Sequence, residues 1–407
     1  MWVRSGSIQN PKSKIENRKV VKTGLEVLLG ERPSRLKGAR VALIAHPASV
    51  DSRLNHSVDL FYARKDFQLM LILGPEHGAR GEAQDQIETG DFTDEATGLP
   101  VYSLYGKSLM PSPAMIRDAD TVVFDLQDIG SRYYTYVYTM AYVMQACARD
   151  GKRMVVLDRP NPINGITVQG NVLNPDYSSF VGLYPLAVRH GMTAGELALL
   201  MNKEFHIGCR LEVVRMRGWR RSMWFDRTGL PWVNPSPNMP TLETATVYPG
   251  GCLIEGTNLS EGRGTTRPFE FIGAPYIKPQ ALVERLKKES LAGVRFRPLY
   301  FQPVFNKWAG ELCGGIQLHV TERAVCDPFL TYIAVIRAAS QLHPERFEWR
   351  SPPYEYEREK LPMDILCGNS LVREQIETGR SLKEIKLSWQ KDLEDFKKLR
   401  RKYLLYR

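Results

Sequence analysis

Three pairs of ionisable side chains stand at or just after the ends of short apolar runs in this sequence. The pairs are Glu76 with His77, Asp125 with Asp128, and Asp158 with Arg159. Acids and imidazoles are the usual general acids and bases of enzymes, and two carboxyl groups flanking a sugar linkage are the usual machinery of glycoside hydrolysis. The sequence therefore has the residue types for acid–base chemistry, provided that the fold brings the pairs to one place.

Short unbroken apolar runs bounded by Gly or Pro predict strands that are buried on both faces, as in a parallel sheet. The predicted strands are residues 41–45, 69–73, 121–125, 153–157 and 211–215. A predicted helix over residues 132–149 lies between two of them, which gives the order of a right-handed parallel unit. Because ligands bind outside the carboxyl ends of such strands, we expect the three pairs to converge at that edge.

From about residue 275 the pattern changes to mixed helices and strands. The sequence predicts helices over residues 279–290 and 329–342, and strands over residues 294–301 and 316–320. The predicted fold class is therefore α/β, a Rossmann-like parallel-sheet domain with a second, smaller α+β C-terminal domain. The predicted divisions are a flexible basic leader (1–22), the sheet domain (23–274) and the C-terminal domain (275–407). Within them, we expect a long functional loop over residues 79–113 and a helix over residues 381–406.

Composition is that of an ordinary globular protein, with 43% apolar and 25% charged residues, and the net charge of +10 is concentrated at the ends. Residues 1–22 carry +5 and residues 380–407 carry +6, so the body is close to neutral. This distribution argues against nucleic acid as a partner, and we expect a solvated face and a frayed end. No apolar run reaches the length of a membrane span or of a signal-peptide core. The location expected from this chain is cytoplasmic, or periplasmic or secreted if its start lies elsewhere.

Other chemistries fit the motifs less well. Asp125 begins a stretch like the aspartate pair of haloacid-dehalogenase-type phosphoryl transfer, but Gln127 stands where the second acid is needed. A metal site from His77, His190 and an aspartate lacks helical ligand spacing. No G-x-G-x-x-G follows the first strand, and the six cysteines stand singly, as buried apolar residues do. We therefore predict neither a metal nor a cofactor.

Six motifs in order carry a family resemblance. They are residues 74–78 (GPEHG), 124–130 (FDLQDIG) with 132–136 (RYYTY), 157–162 (LDRPNP), 190–193 (HGMT), 235–238 (PSPN), and 255–257 (EGT) with 262–265 (GRGT). Together they resemble the exo-β-N-acetylmuramidase family of peptidoglycan hydrolases, over roughly residues 23–407. The resemblance implies a cleft between the two domains and release of N-acetylmuramic acid from the non-reducing ends of cell-wall fragments, so the implied partner is a peptidoglycan-derived amino-sugar glycan.

The resemblance makes Glu76 the best candidate for the catalytic acid. We expect His77 to orient it and Asp125 or Asp128 to be its partner. The residues expected to bind the substrate are Arg132, Tyr134, Asp158, Arg159, Asn161, His190, Asn238, Glu261 and Arg263. For the lactyl carboxylate of muramic acid, Arg263 is the first choice and Arg159 the second, because a guanidinium fork suits a carboxylate. The alternatives are a non-catalytic muropeptide-binding protein and a hexosaminidase of different sugar specificity.

Overall fold

The computed structural model describes residues 20–81, 91–106 and 108–407. In chain order its strands are β1 (Arg40–Ile44), β2 (Gln68–Gly74), β3 (Phe92–Thr93), β4 (Pro100–Ser103), β5 (Thr121–Phe124), β6 (Arg153–Leu157), β7 (Gln169–Val172), β8 (Ala187–Arg189), β9 (Arg210–Val214), β10 (Phe271–Ala274), β11 (Val294–Phe301) and β12 (Cys313–Val320). Its α-helices are α1 (Gly24–Glu31), α2 (Ser57–Tyr62), α3 (Tyr136–Arg149), α4 (Ala194–Glu204), α5 (Leu242–Gly251), α6 (Pro279–Lys287), α7 (Pro328–Leu342), α8 (Pro362–Cys367), α9 (Leu371–Glu377), α10 (Leu382–Leu387) and α11 (Gln390–Arg400).

A seven-stranded sheet in the order β3-β4-β2-β1-β5-β6-β9 forms the N-terminal domain. Every neighbouring pair is parallel except β3 with β4. The central strands are apolar on both faces because helices cover both sides, so their sequences lack alternation. The chain runs outward from β1 in both directions, which places the topological switch point between β1 and β5. The predicted Rossmann-like fold is confirmed.

Helix α3 begins four residues later than predicted. The backbone N–H of Arg132 donates to the carbonyl of Val188 in β8, at 2.8 Å, and so is bound outside any helix. Residues 132–135 therefore form a turn in front of the helix. By contrast, helix α4 begins where the Thr193/Glu196 capping box predicts, with the Thr193 hydroxyl accepting from the Glu196 N–H.

The expected long loop over residues 79–113 is partly strand. Within its described part, β4 pairs with β2 in parallel, and β3 pairs with β4 in antiparallel orientation at the edge of the sheet. Residues 82–90 and 107 lie outside the described residues. Short polar strands of two and four residues give too little alternation to be recognised from sequence.

The C-terminal part contains a three-stranded antiparallel sheet, in the order β10-β12-β11, together with α6 and α7. The predicted closing helix is interrupted at Trp389, whose ring packs against Phe329 at a centroid distance of 5.3 Å. The end of the chain is bound to the sheet domain. The Leu405 N–H donates to the Glu196 carboxylate at 2.7 Å, and the Tyr406 hydroxyl donates to Asp158 at 2.5 Å.

Two further expectations concern the ends of the chain and the cysteines. The leader predicted over residues 1–22 lies outside the described residues up to residue 19, and Val21 beyond it is buried. All six cysteines are buried and free, as small apolar residues would be. Among the described residues, no helix is long and apolar enough to cross a membrane.

Candidate active site

Glu76 is delivered by the turn that ends β2. The Gly78 N–H donates to the Pro75 carbonyl at 2.9 Å, and both His77 and Gly78 have left-handed φ angles, of 74° and 81°. A left-handed φ is costly for a residue with a side chain, so this turn holds a strained conformation in a defined shape. The Glu76 side chain is 9% exposed, and its Oε2 accepts from the Thr135 hydroxyl at 3.0 Å.

Glu76 lines a pocket whose walls come from both parts of the chain. Three carboxylic acids line this pocket, namely Glu76, Glu255 and Glu355. Carboxyl groups brought together from distant segments in a largely buried cavity are the arrangement that acid-catalysed cleavage of a small substrate requires.

Glu255 lies near the end of a 3₁₀ helix (Cys252–Gly256) that follows α5. Its Oε2 accepts from the Tyr354 hydroxyl at 2.8 Å, and Arg263 Nη1 lies 3.1 Å from its Oε1. Arg263 is also 3.6 Å from Glu261, whose other oxygen is 3.0 Å from Lys307 Nζ. A guanidinium at this distance favours the charged form of a carboxyl group.

Glu355 lies between α7 and α8, in a segment that contacts the edge of the sheet domain through Tyr356. It has a φ of 45°, and the next residue, Tyr356, has a φ of 68°. The Tyr356 hydroxyl accepts from the Gly106 N–H at 3.0 Å, and its ring lies 5.8 Å from that of Tyr105. Burial raises the pKa of Tyr105, and the charges of Glu76 and Glu355 raise it further. Two pocket carboxyl groups thus act on the same tyrosine.

Tyrosine rings form the floor of the pocket. Tyr134 makes edge contacts with Tyr136 at 4.8 Å and with Tyr248 at 5.9 Å. Burial raises the pKa of Tyr134, and the charges of Glu76 and Asp128 add to that effect. Tyr134 and Asn238, both predicted to bind substrate, line the pocket together with Arg263. Fixed aromatic faces and a few polar groups suit a sugar ring.

His77 approaches Glu76 but does not hydrogen-bond to it. Its Nε2 is 3.8 Å from Glu76 Oε1, which is beyond hydrogen-bond distance. The Thr135 hydroxyl donates a hydrogen bond to the Glu76 carboxyl group. The expected role of His77 in orienting Glu76 stays a prediction.

Asp125 is bound by Arg159, and its expected role as partner of Glu76 stays a prediction. It is fully buried and receives two hydrogen bonds of 2.8 Å from the Arg159 guanidinium, and neither residue lines the pocket. Arg159 Nη1 also donates to the carbonyl of Val50 at 3.1 Å. The charge of Arg159 is thus matched by Asp125 within the sheet domain, and its expected role at the lactyl carboxylate stays a prediction.

Asp128 and His190 form a second buried pair outside the pocket lining. His190 Nε2 is 3.5 Å from Asp128 Oδ2, which also accepts from the Gly130 N–H at 2.7 Å. The charge of Asp128 acts on Tyr134, which lines the pocket. Both residues are therefore buried outside the lining of the pocket.

The remaining expected ligands brace the fold. Asp158 accepts from the Thr193 hydroxyl and the Gly195 N–H, both at 2.8 Å, at the start of α4. The fully buried Arg132 donates to main-chain carbonyls, including that of Leu366 in α8 at 2.7 Å. The side-chain amide of Asn161 donates to the Met192 carbonyl at 2.9 Å. Glu261 pairs with Lys307 and does not line the pocket with Glu76.

Sequence reasoning missed several residues that line the pocket, among them Thr135, Glu255, Tyr354 and Glu355. Glu255 stood within a recognised motif, and its place in a Gly-bounded turn beside the GRGT motif was a usable signal. Glu355 had none, because the proline-led stretch around it reads as an ordinary loop.

The chain has a Rossmann-like domain and an α+β domain, and both contribute to a buried pocket of carboxylic acids and tyrosines. This arrangement is that of a two-domain glycoside hydrolase. The family models named exo-beta-N-acetylmuramidase NamZ match residues 41–243 (N-terminal) and 246–406 (C-terminal). The chain belongs to this exo-β-N-acetylmuramidase family. The two models meet some thirty residues before residue 275, and the boundary predicted there stays a prediction.

Relatives of known sequence or structure agree with this assignment. The chain is 50% identical over 386 residues to the peptidoglycan beta-N-acetylmuramidase NamZ of Bacillus subtilis (strain 168), which covers 95% of this chain and 91% of that protein. Two crystal structures of DUF1343-family proteins from Bacteroides fragilis NCTC 9343 are similar to it. They have TM-scores of 0.86 and 0.76 and identities of 35% and 31%, and each comparison covers 95% of this chain and 99% of the other.

Proposed function

We propose that this chain releases N-acetylmuramic acid from the non-reducing ends of peptidoglycan fragments, with Glu76 as the general acid. The observation that carries the proposal is the buried pocket in which Glu76 and Glu255 both present carboxyl groups. A pocket with walls from both parts of the chain suits removal of one terminal sugar. Membership of the muramidase family and the named activity of the Bacillus subtilis relative support the choice of sugar.

In the proposed reaction, Glu76 donates its proton to the glycosidic oxygen as the bond to the anomeric carbon breaks. This step needs the protonated form of Glu76, whose side chain is 9% exposed. Positive charge then develops on the sugar ring, and Glu255, which lies 3.1 Å from Arg263, is placed to stabilise it. Water bonds to the anomeric carbon, and the proton that it releases restores the acid form of Glu76. Glu255 thus takes the part that the sequence assigned to Asp125 or Asp128.

Arg263 has two assignable tasks in this pocket. It neutralises Glu255 and Glu261, at 3.1 and 3.6 Å, and as a pocket-lining cation it is also the candidate that would meet the lactyl carboxylate. The two tasks predict different effects of Arg263→Lys, which retains the charge but loses the fork. Holding Glu255 affects every substrate, whereas binding the lactyl group affects only muraminides.

The test uses chromogenic β-N-acetylmuraminide and β-N-acetylglucosaminide as parallel substrates. The wild-type protein is expected to release the aglycone from the muraminide and much less from the glucosaminide. Arg263→Lys should lower kcat/KM for the muraminide by about tenfold or more, the worth of one charge-assisted hydrogen bond. Binding of the muraminide without release of aglycone would instead support a glycan-binding protein, and cleavage of only the glucosaminide would remove the sugar assignment.

A further inference from the structure

A second cavity lies next to the active-site pocket in the C-terminal part of the chain. It has a volume of about 520 Å³, and Arg263 lines both cavities. The residues that line it include two tryptophans and an arginine, namely Trp308, Trp349 and Arg350. We call this cavity the tryptophan pocket. None of these three residues takes part in the proposed chemistry at Glu76.

Both indole rings of the tryptophan pocket are held in place. Trp308 Nε1 donates to the Asn258 carbonyl at 2.6 Å, and the Trp308 backbone has a left-handed φ of 61°. Such a φ is an outlier for a bulky residue and persists only where the surroundings enforce it. Trp349 is paired with Thr257 through a backbone bridge, and its ring lies 5.1 Å from that of Phe347. The pocket therefore presents two preorganised, flat apolar surfaces.

The two cations that belong to this cavity alone differ in what they already bind. Lys307 Nζ contacts the carbonyls of Ile254 and Leu259 at 2.9 Å and Glu261 at 3.0 Å, so its three N–H donors are used. Arg350 makes no side-chain hydrogen bond or ion pair with the residues that the structure describes. Its guanidinium lies over the ring of Tyr354, 5.1 Å from the centroid. Arg350 is thus the donor left for a ligand.

The combination points to a ligand with an apolar face and a carboxylate. Sugar rings offer apolar C–H faces to indoles, and a guanidinium fork matches a carboxylate in geometry and charge. We propose that the tryptophan pocket is a second glycan site, which binds an acidic amino sugar of the muramic-acid type through Trp308, Trp349 and Arg350. The choice of glycan rests on the proposed function.

The site is tested by calorimetric titration in a Glu76→Gln background, so that the ligand is not consumed. The ligands are the disaccharide of N-acetylmuramic acid β-linked to N-acetylglucosamine and, as a ligand without a carboxylate, chitobiose. Adding Arg350→Ala should weaken one component of disaccharide binding by about tenfold to a hundredfold, the worth of hydrogen bonds between charged groups. Arg350→Gln, which retains more of the side chain, should act in the same direction.

Arg346→Ala is the matched control, because Arg346 also lies over a tyrosine, 5.6 Å from the Tyr276 centroid, but does not line the pocket. The same binding isotherm for the Arg350 and Arg346 variants would overturn the proposal. Chitobiose binding that depends on Arg350 as strongly as disaccharide binding would refute the carboxylate part. Hydrolysis of the chromogenic muraminide by the wild-type protein is a separate readout. If the wild-type protein does not hydrolyse this substrate, the proposed function fails, whereas the binding titration decides the second site separately.

Discussion

Two buried carboxylate–arginine pairs in this molecule look alike and have different surroundings. Asp125 is bound by Arg159 at the carboxyl edge of the parallel sheet, and Glu255 is approached by Arg263 within the C-terminal part. In the first pair, the Arg159 guanidinium donates two hydrogen bonds of 2.8 Å to Asp125, which is fully buried. The second lines the pocket that contains Glu76. Charges that converge at a sheet edge can therefore serve as internal braces, and a reactive site needs a cavity beside them.

The largest expected effect concerns Glu76. Glu76→Gln retains the shape and the contact with Thr135 but cannot supply a proton of useful acidity. We expect turnover of natural glycan to fall by about 10² to 10⁴, the usual contribution of a positioned acid. A substrate with an activated phenol as leaving group needs less protonation, so its loss should be smaller. Steady-state kinetics on both substrates measure the difference, and melting curves check the fold.

Equal losses on the two substrates would remove Glu76 as the acid. Near-normal turnover of the glycan would remove the whole assignment of this pocket. Asp128→Asn is a suitable companion variant. Asp128 is a buried acid outside the pocket lining, and its charge acts on Tyr134 in the pocket.

The second prediction sets the two arginine-bound acids against each other. Asp125→Asn leaves the Arg159 guanidinium buried without its anion, so the free energy of unfolding should fall by about 3 to 5 kcal/mol. Glu255→Gln should instead lower kcat by about 10² or more with a smaller loss of stability, because Glu261 still faces Arg263. Chemical denaturation and kinetics on the folded variants measure both quantities. The contrast fails if Asp125→Asn loses activity while retaining full stability.

The sequence predicted what local patterns encode. Glu76 could be placed because an apolar run and a Gly-Pro turn determine where β2 ends, and α4 because Thr193 and Glu196 form a capping box. The partner of Glu76 could not be placed. Asp125 and Glu255 are both acids that pair with an arginine, and only long-range packing decides which of them lines the pocket. Glu355 reaches the pocket through a contact between Gly106 and Tyr356, 250 residues apart.

The smallest expected effect is a pH dependence that belongs to the bracing region. Burial raises the pKa of Asp158 to about 7, although the acid is a helix cap and does not line the pocket with Glu76. The unfolded chain titrates near the ordinary value of about 3.9, so the native state binds the proton more tightly. The stability from this group is therefore fully present below about pH 4 and is lost as the pH rises through 7. The loss is at most about 4 kcal/mol, at about 1.4 kcal/mol for each pKa unit.

The difference in unfolding free energy between wild type and Asp158→Asn, measured from pH 4 to 8, should shift against the wild type as the pH rises. Burial lowers the pKa of His46, which gives the opposite trend, but that term is common to both proteins and cancels. A difference that is constant with pH would contradict the raised pKa. A pH-dependent difference in kcat on folded protein would instead place Asp158 in the active site and break the comparison between the two regions.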